Sequence, residues 1–184
     1  MTDLGALAEE VGVSERTLRR AAKQGTLRAS WPTARRLQIS QAEKHYVRRS
    51  WPLLADLRDA LRTEHNVRFA ALFGSAARGE DGPGSDVDLV VEMREGGLDR
   101  LIGLGLKLEE ALVRPVDLVA LEEAEGKPEL LAEVVTEGRV VVDREHRWPA
   151  LRARQPALRR SASRAEREQG KAALAGIDRL LGRR

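Results

Sequence analysis

The chain of 184 residues contains no cysteine, only 3% aromatic residues and no long apolar run. The absence of cysteine excludes disulfide bonds and thiolate metal sites. No apolar stretch approaches the roughly 20 residues that a helix needs to cross a bilayer. The N-terminus also lacks the basic and then apolar pattern of a signal peptide. We therefore expect a soluble cytoplasmic protein with no membrane partner.

Charge is distributed very unevenly along the chain, although the net charge is only +3. Residues 1–66 carry 12 basic and 8 acidic side chains, residues 67–143 carry 8 and 17, and residues 144–184 carry 12 and 4. An acidic middle is thus flanked by two basic arms. Basic arms of this kind favour binding to polyanions or to an acidic protein surface.

The most informative stretch is residues 72–79, which places a Gly-Ser pair directly after an apolar run. That run, residues 67–73, predicts a buried strand. Gly74 permits a tight turn, and Ser75 is expected to cap a short helical turn. Such a junction presents free backbone N–H groups and the positive end of a helix dipole, so it can hold a phosphate. Arg78 lies one turn further on and can add a charge-assisted hydrogen bond to the same group.

Three aspartates follow the Gly-Ser pair. Asp86 and Asp88 are two residues apart on a predicted strand and therefore share one face. Asp117 lies inside a later apolar strand, where a carboxylate is costly unless it is paired or binds a metal. If the two strands are neighbours, the three carboxylates converge on a site suited to Mg²⁺. Two metal ions about 4 Å apart would then hold the attacking and leaving oxygens of an in-line displacement, and Asp117 would help to deprotonate the attacking hydroxyl.

The spacing Gly-Ser-x10-Asp-x-Asp resembles the signature of the DNA polymerase β-like nucleotidyltransferase superfamily. Residues 67–143 resemble the compact members of this superfamily, the minimal nucleotidyltransferases. The resemblance implies an α/β (α+β) fold in which helices flank a mixed sheet. It also implies that the catalytic and metal-binding residues are Asp86, Asp88 and Asp117, and that the triphosphate is contacted by Gly74 and Ser75. The position of Arg78, one turn further on, adds it to the expected nucleotide-binding residues.

The N-terminal residues show a second pattern. Two short predicted helices, 4–11 and 15–23, are separated by a turn at Gly12, and Ser14 is a good N-cap for the second. This arrangement resembles bacterial helix-turn-helix units, and residues 25–40 resemble the two-stranded wing of MerR- or excisionase-like domains. The side chains that would then face DNA bases or phosphates are Arg16, Thr17, Arg19, Arg20 and Lys23.

Ten basic and only two acidic side chains in residues 14–50 favour a surface that faces phosphates. The alternative is a helical hairpin that serves as a scaffold or as a protein contact. One helix-turn-helix unit has a small footprint, so we expect a homodimer if the protein binds operator DNA specifically.

We predict four segments: a helix-turn-helix domain over 1–50, a connecting helix over 51–66, the nucleotidyltransferase domain over 67–143 and a basic, mainly helical extension over 144–184. Within them we expect one helix over 41–63 that Pro52 kinks or divides, and another over 161–181. A further helix over 98–113 is expected to face inward with Leu98, Leu101, Ile102, Leu106 and Leu112.

The resemblance implies a Mg²⁺-dependent enzyme that transfers a nucleoside monophosphate, expected to be AMP, from ATP or another NTP to a hydroxyl. Minimal nucleotidyltransferases often pair with HEPN-type toxins as antitoxins, and some modify a toxin tyrosine. A partner protein is therefore the expected acceptor, and the DNA-binding unit suggests autoregulation of an operon. Two alternatives remain: a transcriptional regulator with a catalytically silent nucleotidyltransferase domain, and an antibiotic-modifying nucleotidyltransferase, which the small size of the chain disfavours.

Overall fold

The computed structural model of the protein describes residues 3–34, 36–161 and 163–164, so most of the helix expected over 161–181 lies outside the described residues. The elements are α1 (Asp3–Glu10), α2 (Glu15–Gln24), β1 (Ser30–Thr33), β2 (Arg36–Gln38), α3 (Gln41–Arg62), β3 (Val67–Leu72), α4 (Gly74–Arg78), β4 (Val87–Met93), α5 (Leu98–Leu112), β5 (Val116–Ala120), α6 (Leu121–Glu125), α7 (Pro128–Glu137), β6 (Arg139–Asp143) and α8 (Arg147–Ala153). A further helical stretch, residues 155–161, follows α8.

Four strands form the main sheet in the order β5-β4-β3-β6. Strand β3 is antiparallel to both of its neighbours, whereas β4 and β5 run parallel. The sheet is therefore mixed, as the resemblance implies. No helix of the described residues is long and apolar enough to span a membrane.

Helices cover both faces of this sheet. On one face, Ala70 and Leu72 of β3 lie in a buried cluster with residues of α3 and α5; on the other, Phe69 and Ala71 pack with residues of α6, α7 and α8. This division follows from the alternation of side chains along a strand. The apolar run of β3 is thus buried on both faces and forms the centre of the molecule.

The N-terminal residues form the expected pair of helices. Gly12 adopts a positive φ of 71° between them. Ser14 caps α2, because its Oγ accepts a hydrogen bond of 3.1 Å from the backbone N–H of Thr17. Strands β1 and β2 pair antiparallel as a separate two-stranded sheet. Leu7 and Leu18 are buried in the same cluster as α3 and one face of the main sheet, so the N-terminal helices pack directly on the rest of the protein.

Helix α3 is one continuous helix of 22 residues with Pro52 inside it. Of the two effects predicted for Pro52, the division of the helix is therefore wrong, and the kink stays a prediction. Val47 before the proline and Leu54 after it are both fully buried. Their packing on the sheet offsets the cost of the backbone hydrogen bond that proline cannot make.

The predicted inward face of helix α5 is correct for Leu101 and Leu112, which pack against the core, and wrong for the other three leucine and isoleucine residues. Leu104 and Leu108 are buried, whereas Leu98, Ile102 and Leu106 are 70%, 52% and 62% exposed. Apolar residues extend over more than half of the circumference of this helix. Their periodicity therefore did not define which part of it faces the core.

Candidate active site

Asp88 and Asp117 lie side by side on neighbouring strands. Strands β4 and β5 are parallel, and the Cα atoms of Asp88 and Asp117 are register partners. Asp86 comes one residue before the start of β4. Side chains two residues apart along an extended chain share a face. The strand order thus directs all three predicted carboxylates to the same end of the sheet.

The electrostatics of Asp88 agree with this convergence. Its pKa is raised, first because the carboxyl is partly buried and then because Asp86, Asp117 and Glu133 add negative charge around it. The positive charge of Arg78 acts in the opposite direction but is a smaller influence. Within the described part of the chain, none of the three aspartates forms an ion pair with a basic side chain. A bound cation would relieve their mutual repulsion more than Arg78 does.

The chemistry of these donors suits Mg²⁺, which prefers carboxylate oxygens and is commonly held by one or two carboxylates together with substrate phosphates. No group of three His, Cys, Asp or Glu side chains among the described residues is already arranged to hold a metal ion. The aspartate side chains would therefore have to rotate toward a cation. Asp86 and Asp117 are exposed, so they have room to do so.

Gly74 is in close contact with the aspartates. It has a positive φ of 66° and begins helix α4. A Cβ atom at this position would lie only 3.0 Å from Cγ of Asp88 and closer still to its Oδ2. The turn predicted to hold phosphate is thus in direct contact with a predicted metal-binding carboxylate, and only glycine fits between them.

Ser75 does not cap α4, which corrects the sequence prediction. The residue at the N-cap is Phe73, which makes no side-chain capping hydrogen bond. Ser75 is instead the second residue of the helix and is half-buried. The backbone N–H of Phe73 donates to the carbonyl of Asp88 at 3.0 Å. This bond fixes the start of α4 against the strand that carries the aspartates.

Arg78 lies near Asp88 but is already surrounded by glutamates. It forms ion pairs with Glu80 at 2.7 Å, with Glu137 at 2.8 Å and with Glu133 at 3.5 Å. Hydrogen bonds to Glu80 and Glu137 raise its pKa further. A phosphate would therefore have to compete with these carboxylates for the guanidinium.

A buried ion pair holds helix α4, next to the site, in place. The sequence did not predict this pair. Arg139, at the start of β6, is 1% exposed and donates to both carboxylate oxygens of Glu43 at 2.6 and 3.0 Å. Its Nε donates to the carbonyl of Ala77 in α4 at 2.6 Å. The guanidinium also lies 3.2 Å from the ring centre of Tyr46, whose pKa burial raises to about 12. One arginine thus connects α4 to α3.

The second helix of the N-terminal unit carries its basic side chains on the outside. Arg16, Arg20 and Lys23 are exposed. Arg19 is engaged by Glu15 in an ion pair of 2.6 Å, and the hydroxyl of Thr17 is hydrogen-bonded to that of Ser14 at 2.9 Å. Of the five predicted DNA-contacting residues, three are therefore directly available to a ligand.

A family model described as polymerase beta, nucleotidyltransferase matches residues 55–147 of the chain. A putative protein adenylyltransferase of Methanocaldococcus jannaschii is 44% identical over 57 residues, which is 30% of this chain and 61% of that protein. The matched segment therefore spans about three fifths of the length of the archaeal relative.

Solved structures share the fold. A crystal structure of a toxin–antitoxin with AMP-PNP matches with a TM-score of 0.52 at 25% identity and covers 70% of this chain and 98% of that one. A crystal structure of the toxin–antitoxin MntA-HpeT with a tyrosine-to-alanine mutation matches with a TM-score of 0.50 at 26% identity, over 69% of this chain and 96% of that one. The four-stranded mixed sheet and its flanking helices agree with these matches.

Proposed function

The chain belongs to the polymerase beta nucleotidyltransferase family, and from this we propose that it transfers a nucleoside monophosphate from an NTP to a hydroxyl group. The observation that carries the proposal is the register pairing of Asp88 with Asp117. Gly74 is also in close contact with Asp88. The pairing and this contact together place a phosphate-binding turn beside a set of carboxylates. Fold alone would not carry the proposal, because one fold can serve many functions.

In this site Gly74 and Ser75 bind the triphosphate through the backbone at the start of α4. Asp86, Asp88 and Asp117 would hold Mg²⁺, and a bound ion would supply positive charge that stabilises the phosphates during transfer and offsets the repulsion among the three carboxylates. Arg78 exchanges one of its glutamate partners for a phosphate oxygen.

The reaction breaks one bond and forms another. The acceptor hydroxyl oxygen attacks the α-phosphorus, the bond from that phosphorus to the bridging oxygen breaks, and pyrophosphate leaves. Asp117 takes the hydroxyl proton. Asp117 is exposed and lies on the edge strand β5, so a macromolecular acceptor can reach it.

We propose ATP as the donor and a hydroxyl of a partner protein, a HEPN-type toxin, as the acceptor. The archaeal relative is named as a putative protein adenylyltransferase, which supports transfer of AMP to protein. The structure that contains AMP-PNP is of a toxin–antitoxin, which supports an adenine nucleotide and a role as antitoxin. The resemblance of residues 67–143 to minimal nucleotidyltransferases points to the same partner.

We further propose that α2 binds operator DNA through Arg16, Thr17, Arg19, Arg20 and Lys23. The exposed cations of α2 and its serine cap support this role. Specific recognition would use two copies of the chain, because a single unit reads too short a site. The protein would then control its own operon.

The test uses ATP labelled at the α-phosphate, Mg²⁺ and the purified product of the adjacent gene, with Asp86→Asn as the control. Asp86 is exposed, so this substitution should leave folding and DNA binding intact. Label on the neighbouring protein that is absent with Asp86→Asn supports protein modification. No label with any NTP, despite tight DNA binding, would favour a regulator with a silent nucleotidyltransferase domain.

A further inference from the structure

A cleft of about 480 Å³ lies where the end of α2 meets the face of the main sheet that is covered by α6, α7 and α8. The loop before β6, helix α8 and the helical stretch after it complete its walls. Four of its lining residues are basic, one from each of four places in the chain: Lys23, Arg28, Arg152 and Arg159. No carboxylate is among the described residues that line it.

These four side chains have no carboxylate partner in direct contact among the described residues, although the charges of Glu43 and Glu137 act on Arg28 from a greater distance. In the described part of the chain, none of them forms an ion pair with a carboxylate, whereas Arg154 nearby pairs with Glu125 at 2.5 Å. Arg28 donates to the backbone carbonyl of Glu137 at 2.6 Å, and Arg152 donates to that of Val135 at 3.2 Å. Each of these bonds uses one of five guanidinium N–H groups. They orient the side chains while their positive charge remains available to an anion.

The cleft is continuous with the exposed basic face of α2. Lys23 belongs to both, and Arg16 and Arg20 extend the charge away from the cleft along α2. The junction is tightly packed, because a Cβ atom at Gly25 would lie 2.6 Å from Cδ1 of Trp148 and closer still to its Nε1. The cleft therefore keeps a fixed position relative to α2.

We propose that this cleft is a groove for the phosphate backbone of duplex DNA, next to the segment that α2 reads. The proposal rests on the DNA-binding part of the proposed function. Sequence-independent binding to DNA comes from basic side chains that contact phosphates, and such contacts fix the register of a reading helix. Arg152 and Arg159 would supply these contacts from outside the helix-turn-helix unit.

The aromatic side chain of the cleft argues against a single strand as the ligand. Single-stranded nucleic acids bind by stacking their bases on aromatic rings. Trp148 is only 8% exposed and Arg152 lies 5.9 Å from the centre of its ring. The cleft thus presents charge without a surface for stacking.

The test measures how binding of a mixed-sequence DNA duplex to the full chain depends on salt, between about 50 and 200 mM KCl. The variant is Arg152→Gln with Arg159→Gln, and Arg159→Gln alone serves as a second variant because Arg152 also contacts Trp148. Each lost phosphate contact should reduce the slope of log affinity against log salt by about 0.9. For the double variant we therefore expect the slope to fall by about 1.8.

The matched control removes two positive charges from α5, on the opposite face of the sheet, with Arg100→Gln and Lys107→Gln. Its slope should equal that of the unchanged protein. An equal reduction in the control would mean that only total charge matters, and an unchanged slope in both cleft variants would show that the groove does not contact DNA. Tighter binding of a single-stranded RNA that depends on Arg152 and Arg159 would also overturn the proposal.

Failure of the groove is distinguishable from failure of DNA binding. Arg19→Ala with Arg20→Ala tests α2 in the same assay. A reduced slope for that variant, with no change for the cleft variants, leaves the proposed function in place and removes the groove. If the unchanged protein binds no duplex, both the groove and DNA binding by α2 are excluded. The labelling reaction tests the transferase activity independently.

Discussion

Gly74 and Asp88 touch across the junction between α4 and β4, and the backbone of Gly74 is in the left-handed region with φ at 66°. A Cβ atom at residue 74 would lie 3.0 Å from Cγ of Asp88. Substitution there therefore acts on the carboxylate and on the backbone at the same time. This contact explains why the Gly-Ser pair and the aspartates have to be considered as one site.

For Gly74→Ala we expect transfer activity to be lost and stability to fall by about 1–3 kcal/mol, the cost of a non-glycine residue in this conformation. The new methyl group would force Asp88 to rotate away. The rate of label transfer and the free energy of unfolding in denaturant measure the two effects. Gly84→Ala is the matched control, because a Cβ atom there would have no neighbour within 4 Å; equal losses in both variants would contradict our account.

Asp88→Asn should separate stability from metal binding. Without Mg²⁺ the variant should be at least as stable as the unchanged protein, because burial and then the charges of Asp86 and Asp117 disfavour the charged form of Asp88. With Mg²⁺ and a non-hydrolysable ATP analogue at about 100 times its dissociation constant, only the unchanged protein should gain about 2.7 kcal/mol.

Thermal unfolding with Mg²⁺, and again after EDTA, measures this difference. Asp99→Asn on α5 is the control, since it removes an exposed carboxylate that belongs to another surface. We expect it to respond to Mg²⁺ and nucleotide as the unchanged protein does. An equal gain for Asp88→Asn would exclude Asp88 as a metal ligand.

Glu43→Gln should be strongly destabilising, by about 3–5 kcal/mol, because it leaves the buried guanidinium of Arg139 without its counter-charge. Denaturant unfolding measures the loss. Glu123→Gln removes one partner of an exposed ion pair with Lys127 and should cost less than about 1 kcal/mol. Similar values for the two variants would mean that the pair of Glu43 and Arg139 does not hold α4 and α3 together.

The sequence predicted the parts of this site better than their assembly. Turn and strand patterns located the Gly-Ser pair and the strands that carry Asp88 and Asp117, because those signals are local. It did not predict the ion pair of Arg139 with Glu43, whose members are 96 residues apart in the chain. Local patterns also misplaced the cap of α4, where Phe73 takes the position expected for Ser75.

Helix α5 illustrates another limit. Its apolar residues surround so much of the helix that periodicity could not define the buried side, and Leu98 and Ile102 proved to be exposed. Helix α3 shows the opposite case, in which a strong local signal was misleading. Pro52 did not divide the helix, because the burial of Val47 and Leu54 on either side of it stabilises a continuous helix.

Arg20→Ala should weaken DNA binding more than Arg19→Ala. Arg20 is exposed, whereas Arg19 is held by Glu15 at 2.6 Å and has to leave that partner to reach a phosphate. We expect the salt slope to fall by about 0.9 for Arg20→Ala and by less for Arg19→Ala. Fluorescence anisotropy on duplex DNA measures both, and a larger effect of Arg19→Ala would contradict the arrangement of α2.

Arg78 allows a test in two directions. If it contacts a phosphate, Arg78→Gln removes a charge-assisted hydrogen bond, typically about 1.5–3 kcal/mol, and the KM for the nucleotide should rise tenfold or more. Glu137→Gln should do the reverse, because it releases Arg78 from a partner at 2.8 Å and so lowers the KM. Its three glutamates lie near the surface, so neither variant should change stability by more than about 1 kcal/mol. Steady-state kinetics measures both values; a KM that neither substitution alters would leave Arg78 only the task of joining α4 to α7.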